Sequence, residues 1–189
     1  GYSNTSLSYS FIKNSGQWNK TSNQRVYSSS ENLEGNFVFR NINYLQMDKN
    51  HKIEFGVEAR HEMADYNYYY NSYINRMGLE ITEIDLNDHF QYTKAGSFFN
   101  YNWSPADKIK MTWGVRGEYY SGSEKVYISP RFSLTYILNS RMSVFGSVGD
   151  YYQSLPLFLL SQNPDNEKLK APKSEHHVIG FDCMLTKDT

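Results

Sequence analysis

Five histidines, His51, His61, His89, His176 and His177, are the first side chains to test for chemistry, because imidazole ligates metals and moves protons near neutral pH. His176 and His177 are adjacent, and adjacent side chains on a strand point to opposite faces, so this pair cannot chelate one ion without distortion. His51, His61 and His89 fall in separate stretches with no HxxxH or HExxH spacing. Asp85 or Asp88 beside His89 is the nearest approach to an acid–base pair for a hydrolase, and neighbours in sequence are weak grounds for a working dyad. GxSxG, a phosphate-cradling loop and CxxC are all missing from the 189 residues. The single cysteine, Cys183, permits no internal disulfide and sits in an apolar alternation, where a small packed side chain is its expected role. A non-enzymatic chain with no metal and no cofactor is therefore expected.

Binding chemistry is better represented than catalysis. The tract Tyr66-Asn67-Tyr68-Tyr69-Tyr70-Asn71-Ser72-Tyr73 combines large amphipathic rings of low conformational entropy with adaptable amides, a composition suited to sugars, peptides or siderophores. Tyr66, Tyr68, Tyr69, Tyr70 and Tyr73 are accordingly candidate ligand contacts. The alternative is that they only prolong two strands and pack against neighbouring loops. Leu155-Pro156-Leu157-Phe158-Leu159-Leu160 reads as a short helix after the proline, folding an apolar segment into a barrel mouth or loop pocket, with Phe158 a further candidate contact. Left alone it would be an exposed apolar patch, so it should find a partner.

The elements that must position these residues are strands. Lys+Arg 19 against Asp+Glu 20 gives a net charge of -1, which excludes a basic nucleic-acid surface. No apolar run approaches the roughly 20 residues that a membrane-spanning helix needs, yet aromatic residues make up 16% of a polar, Ser- and Asn-rich chain. Strict alternation dominates. Ile109, Met111, Trp113, Val115 and Tyr119 form one row, and Lys108, Lys110, Thr112, Arg116 and Glu118 the other. Ile53, Phe55, Val57, Ala59 and Met63 alternate with Lys52, Glu54, Glu58, Arg60 and Glu62, and a third row runs through Val126, Ile128, Phe132, Leu134, Tyr136 and Leu138. Weaker versions cover Thr5 to Lys13, Glu31 to Leu45, Phe90 to Trp103, Met142 to Gln153 and Glu175 to Thr186, giving about eight strands.

Most of these exceed the roughly 5 or 6 residues usual in soluble sheets and match the about 9 to 11 of a tilted bilayer-spanning strand. Compact turns at 47–51, 104–107 and 139–141 alternate with longer polar segments at 14–30, 66–89 and 154–174, with a short exception at 121–125. That parity describes an antiparallel transmembrane β-barrel segment, with short periplasmic turns and long extracellular loops. The apolar rows contain no Lys, Arg, Asp or Glu. Tyr101, Trp103 and Tyr136 near the short turns, with Tyr119, Tyr120, Tyr151 and Tyr152 at the opposite ends, are expected to form two interfacial girdles.

These residues resemble the C-terminal part of the barrel of TonB-dependent outer-membrane receptors. The resemblance is carried in order by His51-Lys52-Ile53-Glu54-Phe55-Gly56-Val57-Glu58, by Ser97 to Pro105 with its turn, and by Trp113-Gly114-Val115-Arg116-Gly117-Glu118-Tyr119-Tyr120. Ile128-Ser129-Pro130-Arg131-Phe132 follows, then Gly149 to Pro156, then Leu169 to Phe181, where an inward acidic residue is expected before an apolar-Gly-aromatic step. It spans about 31–186. It implies that Pro130 is structural, that Arg131 turns into the lumen, and that Arg131 either contacts ligand or pairs with a lumenal acid such as Glu118. It further implies a receptor in the outer membrane of a Gram-negative bacterium, taking up a nutrient ligand, with outer-membrane lipid and the TonB system as partners. Such receptors carry a plug and a barrel of about 22 strands. Residues 1–189 are therefore expected to be one part of a barrel domain, with the plug that meets TonB lying elsewhere and more strands following the polar Thr186-Lys187-Asp188-Thr189 end. The competing expectations are a complete eight-stranded adhesin or structural barrel, and a soluble carbohydrate-binding β-sandwich.

Overall fold

The computed structural model describes residues 1–19, 26–161 and 164–184. The main strands are β1 (Tyr2–Asn19), β2 (Val26–Gln46), β3 (His51–Tyr70), β6 (Ile84–Ala106), β7 (Ile109–Tyr120), β8 (Lys125–Asn139), β9 (Met142–Tyr152) and β10 (Lys173–Cys183). They form one antiparallel sheet in the order β1-β2-β3-β6-β7-β8-β9-β10. A two-stranded hairpin of β4 (Tyr73–Ile74) and β5 (Glu80–Ile81) stands at the tip between β3 and β6. A short helix, α1 (Leu157–Ser161), and a 3₁₀ turn at Pro164–Lys168 lie between β9 and β10. Each main strand pairs with its neighbour in sequence, so every connection is a hairpin and only the loop lengths differ. None of the described helices is long and apolar enough to cross a membrane, which does not bear on strands.

The short turns are closed by side-chain acceptors. Asp48 Oδ1 accepts from the backbone N–H groups of Asn50 (2.7 Å) and His51 (2.9 Å), and Asn139 Oδ1 accepts from that of Arg141 (2.9 Å). These Asx geometries reverse the chain within a few residues.

At the other end the strands run further than the alternation indicates. β3 continues through Tyr70 and pairs with β6 as far as Ile84, and β1 continues to Asn19, so the loops expected at 14–30 and 66–89 are partly ladder. The extension carries Tyr, Ser and Asn on both faces, so no apolar alternation marks it. Tyrosine's preference for strands and an uninterrupted register sustain it. At about 3.3 Å per residue, the 20 residues of β3 reach far beyond a roughly 30 Å hydrocarbon layer.

The two faces differ sharply. One carries the apolar rows, left open: Phe99 and Val115 are each 43% exposed and Ile179 is 89% exposed. The opposite face carries Glu54, Glu58, Arg60, Glu62, Lys94, Arg116 and Glu118. A soluble sandwich would bury its apolar face against a second sheet, but the described residues provide none. Nor do β1 and β10 pair with each other; they are the two edges of an open wall, which excludes the closed eight-stranded barrel among the described residues. Gly180 faces Phe145 across the β9–β10 pair, where a Cβ would lie only 2.1 Å from the ring, so the glycine gives Phe145 room to lie flat on the strand.

Four orientations correct the sequence reading. Rings at the short-turn end do form an outward stack: His51–Trp103 at 6.2 Å between centroids, Tyr101–Trp113 at 6.0 Å and Trp113–Phe132 at 5.4 Å. At the far end only Tyr119 shows outward. Tyr120 is buried on the polar face, Tyr151 meets His176 there, and the Tyr152 ring packs on Tyr127. For Tyr120 and Tyr151 the physical reason is the period of two, because adjacent positions such as Tyr119 and Tyr120 cannot both look out, while Tyr152, the last residue of its strand, turns its ring onto Tyr127. By the same parity Glu175 shares the outward face with Ile179 and Phe181 rather than pointing inward, and Lys173 Nζ lies 2.6 Å from its Oε1.

Candidate functional site

Read from the short turns towards the long loops, the polar face holds three successive layers. Arg131 marks the first. It stands between Gly114 and Gly149 in the register of β7, β8 and β9, and its guanidinium lies over the Tyr151 ring, 4.4 Å from the centroid. It does not pair with Glu118, whose partner is Arg116 (3.0 Å), so that expected ion pair is replaced by a cation–π contact.

The second layer is a lattice of ion pairs built from positions i and i+2 on neighbouring strands. Glu58 receives Arg40 Nε at 3.1 Å and Arg60 Nη2 at 3.5 Å. Glu62 receives Lys94 Nζ at 2.8 Å and lies 3.7 Å from Arg60 Nη1. Pairs this open contribute at most about 1 kcal/mol each. Glu62 is the buried exception, and loss of Lys94 would leave its carboxylate poorly compensated.

The third layer is the sole buried apolar cluster of the described residues: Ala64, Tyr66, Phe90, Tyr92, Tyr120, Tyr127 and Leu160. Parity brings the strand residues together on the polar face where apolar side chains have no lipid to meet, and α1 covers them. Leu160 is 2% exposed, and α1 reaches past β9, β8 and β7 to touch β6. Tyr66 donates its hydroxyl to Glu34 Oε1 at 2.7 Å, while the Tyr127 hydroxyl accepts the Ala171 N–H at 3.0 Å and so fastens the far side of the same loop. The expected short helix after Pro156 is thus present, with Leu160 buried and Leu155 and Leu157 packed against the cluster, while Leu159 stays exposed. The Phe158 side chain lies outside the described residues.

The tyrosine tract divides. Tyr66 belongs to the buried cluster. Tyr68 is half-buried on the polar side, and Tyr69 points to the other. Tyr70 joins Tyr27 and Tyr73 in a group of edge-on rings with centroids 5.1, 5.9 and 5.5 Å apart, and donates to the Tyr27 hydroxyl at 3.2 Å. Tyr69, Tyr70 and Tyr73 stand beyond the apolar rows, and the phenols of these three are held above the usual value. For Tyr70 the hydrogen bond to Tyr27 is the first cause, for Tyr73 the neighbouring Tyr70, and for Tyr69 burial followed by Glu83. They stay protonated near neutral pH and offer hydroxyl donors, not phenolates for a metal.

The histidines take structural positions. His89 Nδ1 lies 2.5 Å from Asp65 Oδ1 across the β3–β6 pair on the outward side, so neither Asp85 nor Asp88 is its partner. His176 contacts Tyr151 and Ser174 on the polar face, and His177 falls on the opposite face opposite Val148. No group of three or more His, Cys, Asp or Glu among the described residues is placed to hold a metal. Sequence reasoning missed Phe90, Tyr92 and Tyr127 as members of the buried cluster, and Tyr27 as the partner of Tyr70 and Tyr73. Carrying the alternation of β3 and β6 upward past Met63 and Thr93 would have put Phe90 and Tyr92 on one face with Tyr66.

A single antiparallel sheet of long strands, apolar and exposed on one side, charged on the other, with turn and loop lengths sorted by end, is a wall of a transmembrane β-barrel. The chain belongs to the TonB-dependent receptor-like β-barrel family, whose model matches residues 1–189. No curated protein matches the sequence. Among solved structures the fold is similar to the copper transporter OprC, with a TM-score of 0.73 at 12% identity, covering 95% of this chain and 33% of that one. It is similar also to the FpvAI–pyocin S2 complex (TM-score 0.66, 15% identity, 98% and 28% covered). A third is the ferripyoverdine receptor of the outer membrane of Pseudomonas aeruginosa bound to ferripyoverdine (0.63, 16%, 95% and 28%). The chain therefore spans about a third or less of the length of these proteins.

Proposed function

We propose that this wall belongs to an outer-membrane receptor of a Gram-negative bacterium that admits a nutrient ligand, a siderophore, glycan or peptide, by TonB-dependent uptake. The polar face then lines the lumen, the apolar face meets outer-membrane lipid, and the long loops face the outside. A plug region elsewhere in the parent polypeptide transmits the pull of TonB. The barrel performs no chemistry: it satisfies every backbone group in lipid and positions the loops. One observation carries this reading. The buried aromatic cluster and the tyrosine group both stand at the long-loop mouth of the polar face, where an incoming ligand would first arrive. Tyr68, Tyr70 and Tyr73 provide contacts there, Tyr69 offers its ring on the outer side of the same extended strand, and Tyr66 supports them from beneath.

The test uses the complete receptor in cells that grow only on the transported nutrient. Uptake should require both an energised TonB system and the receptor. Replacing Tyr68, Tyr69, Tyr70 and Tyr73 by Ala should weaken ligand binding at least tenfold while surface expression is kept, because loop side chains carry contact energy without closing the barrel. Unchanged affinity in the combined variant would remove the tract from the site. Uptake that persists without TonB would overturn the transport reading.

A further inference from the structure

The polar face changes character along its height. Midway up, Arg40, Arg60, Lys94 and Arg116 each meet a carboxylate within 4 Å. Towards the short turns, Lys52, Lys110 and Arg131 enter no ion pair among the described residues, and neither do Glu54 and Asp182, the carboxylates of the strands there. Apolar side chains are mixed with these charges. Ile42, Phe98, Phe145 and Val178 share the polar face by register, and Val178 is 44% exposed. The two rings lie flat: a Cβ on Gly56 would stand 2.8 Å from the Phe98 ring, and Phe145 lies likewise against Gly180. Tyr2 and Tyr44 stack on the same side, 4.5 Å between centroids. A wall that met only water would gain nothing from such rings and aliphatic groups, and α1 covers the opposite end of the face alone.

A recess of about 820 Å³ opens at this end, lined by Lys49, Lys52 and Lys110, by Glu54 as its one acid, and by apolar Ile53 and Met111 among neutral polar groups. Low-dielectric walls focus the field of such cations and draw anionic groups to them. A surface that mixes uncompensated cations with flat-lying rings has the make-up of an interface between two parts of one polypeptide. The chain spans a third or less of the solved structures it resembles, which leaves ample length in a parent polypeptide for the part that covers this face.

We infer that the short-turn half of the polar face is where the plug region docks, and that the plug surface facing β3, β7 and β8 carries carboxylates that pair with Lys52, Lys110 and Arg131. The ion-pair lattice above, already neutralised within the wall, stays clear of the plug. The inference rests on the receptor reading, which supplies the plug, but docking can be measured without transport. The complete receptor, purified in detergent, is treated with a carbodiimide, which joins an amine to a touching carboxylate as an amide with loss of water. Peptide mass spectrometry should find Lys52 and Lys110 joined to Asp or Glu of the plug region, outside residues 1–189. Lys94, 2.8 Å from Glu62, should be joined within the wall and is the internal control. Arg131→Lys should gain a plug link of the same kind. In hydrogen exchange, combining Lys52→Gln, Lys110→Gln and Arg131→Gln should speed exchange in the plug roughly tenfold or more while β3, β7 and β8 keep their protection, and Lys94→Gln should leave the plug unchanged. Heat-modifiable gel mobility identifies folded variants, and the wild-type links need no variant. Lys52 and Lys110 joined only within the wall, or not joined while the Lys94–Glu62 link forms, would overturn the docking surface. Unchanged plug exchange in the folded triple variant would overturn it too. Plug links in a receptor whose uptake persists without TonB would overturn the transport reading alone.

Discussion

The two ends of this wall use the same rings for opposite purposes. At the short-turn end His51, Tyr101, Trp103, Trp113 and Phe132 stack side by side on the outward face, with Trp113 38% exposed. At the long-loop end Tyr66, Phe90, Tyr92, Tyr120 and Tyr127 occupy the inward face and are almost wholly buried. One set is placed where amphipathic rings anchor a strand at a lipid–water boundary; the other makes a small core for a loop that has no other apolar support. Nothing in the residue types separates them. Parity along the strand does, together with height relative to the apolar rows, so an aromatic in such a wall has meaning only once its face is known.

The sharpest way to break this comparison is to reverse the faces on one strand. Val115 lies outward and Arg116 inward, where it is paired with Glu118. Val115→Arg should cost roughly 2–4 kcal/mol in lipid, and Arg116→Val about 1 kcal/mol or less, both read from urea unfolding of the complete receptor in vesicles. Similar losses for the two would mean that the faces are misassigned. A smaller effect separates the two aromatic sets. Leu160→Ala empties a buried position and should weaken the loop's docking by about 2 kcal/mol. Because α1 covers only the mouth, hydrogen exchange should accelerate in 155–172 while the strands keep their protection. Trp113→Ala should do the reverse, lowering barrel stability in lipid and leaving that loop protected. If Leu160→Ala loosened the strands as well, the loop would be part of the wall's own core.

The strands inside the apolar layer were legible because lipid on one side and water on the other impose strict alternation, as in Ile53 to Met63 and Ile109 to Tyr119. Legibility fails where that constraint ends. Above Met63 both faces meet water or loops, so Tyr66 to Tyr70 show no alternation and the ladder that continues through them is silent in sequence. The candidate site was half visible. Arg131 stood out by its place in a resemblance, but its position over Tyr151 between Gly114 and Gly149 depends on strands that pairing alone makes adjacent. Glu118 appeared to be its natural partner because both are inward, yet Arg116, two residues away on the same strand, satisfies that carboxylate first. The docking of α1 on β6 has the same origin: three intervening strands separate them in the sheet, and only the curl of the loop over the polar face joins them.

The smallest effect tests where the outer boundary of the apolar layer lies. On the outward side Gly35 pairs with Met63 and Leu33 with Asp65, so Glu31, opposite Asn67, stands past the last apolar position. Lys13 Nζ lies 2.5 Å from its Oε1, and that hydrogen bond, then the charge of Lys13, holds the carboxyl below its ordinary value of 4.5. A carboxylate whose value is lowered in the folded state stabilises that state above its unfolded value and loses the contribution as pH falls through the folded one. The wild type should therefore be slightly more stable than Glu31→Gln at neutral pH, and the difference should vanish on acidification below about pH 4. Both side chains are some 60% exposed, so raised salt should erase the gap at neutral pH as well. Unfolding midpoints in vesicles, compared at two pH values and two salt concentrations, decide it. A gap that survived high salt would place the pair in a low-dielectric layer, and the lipid boundary would then have to be drawn above Glu31 instead of below it.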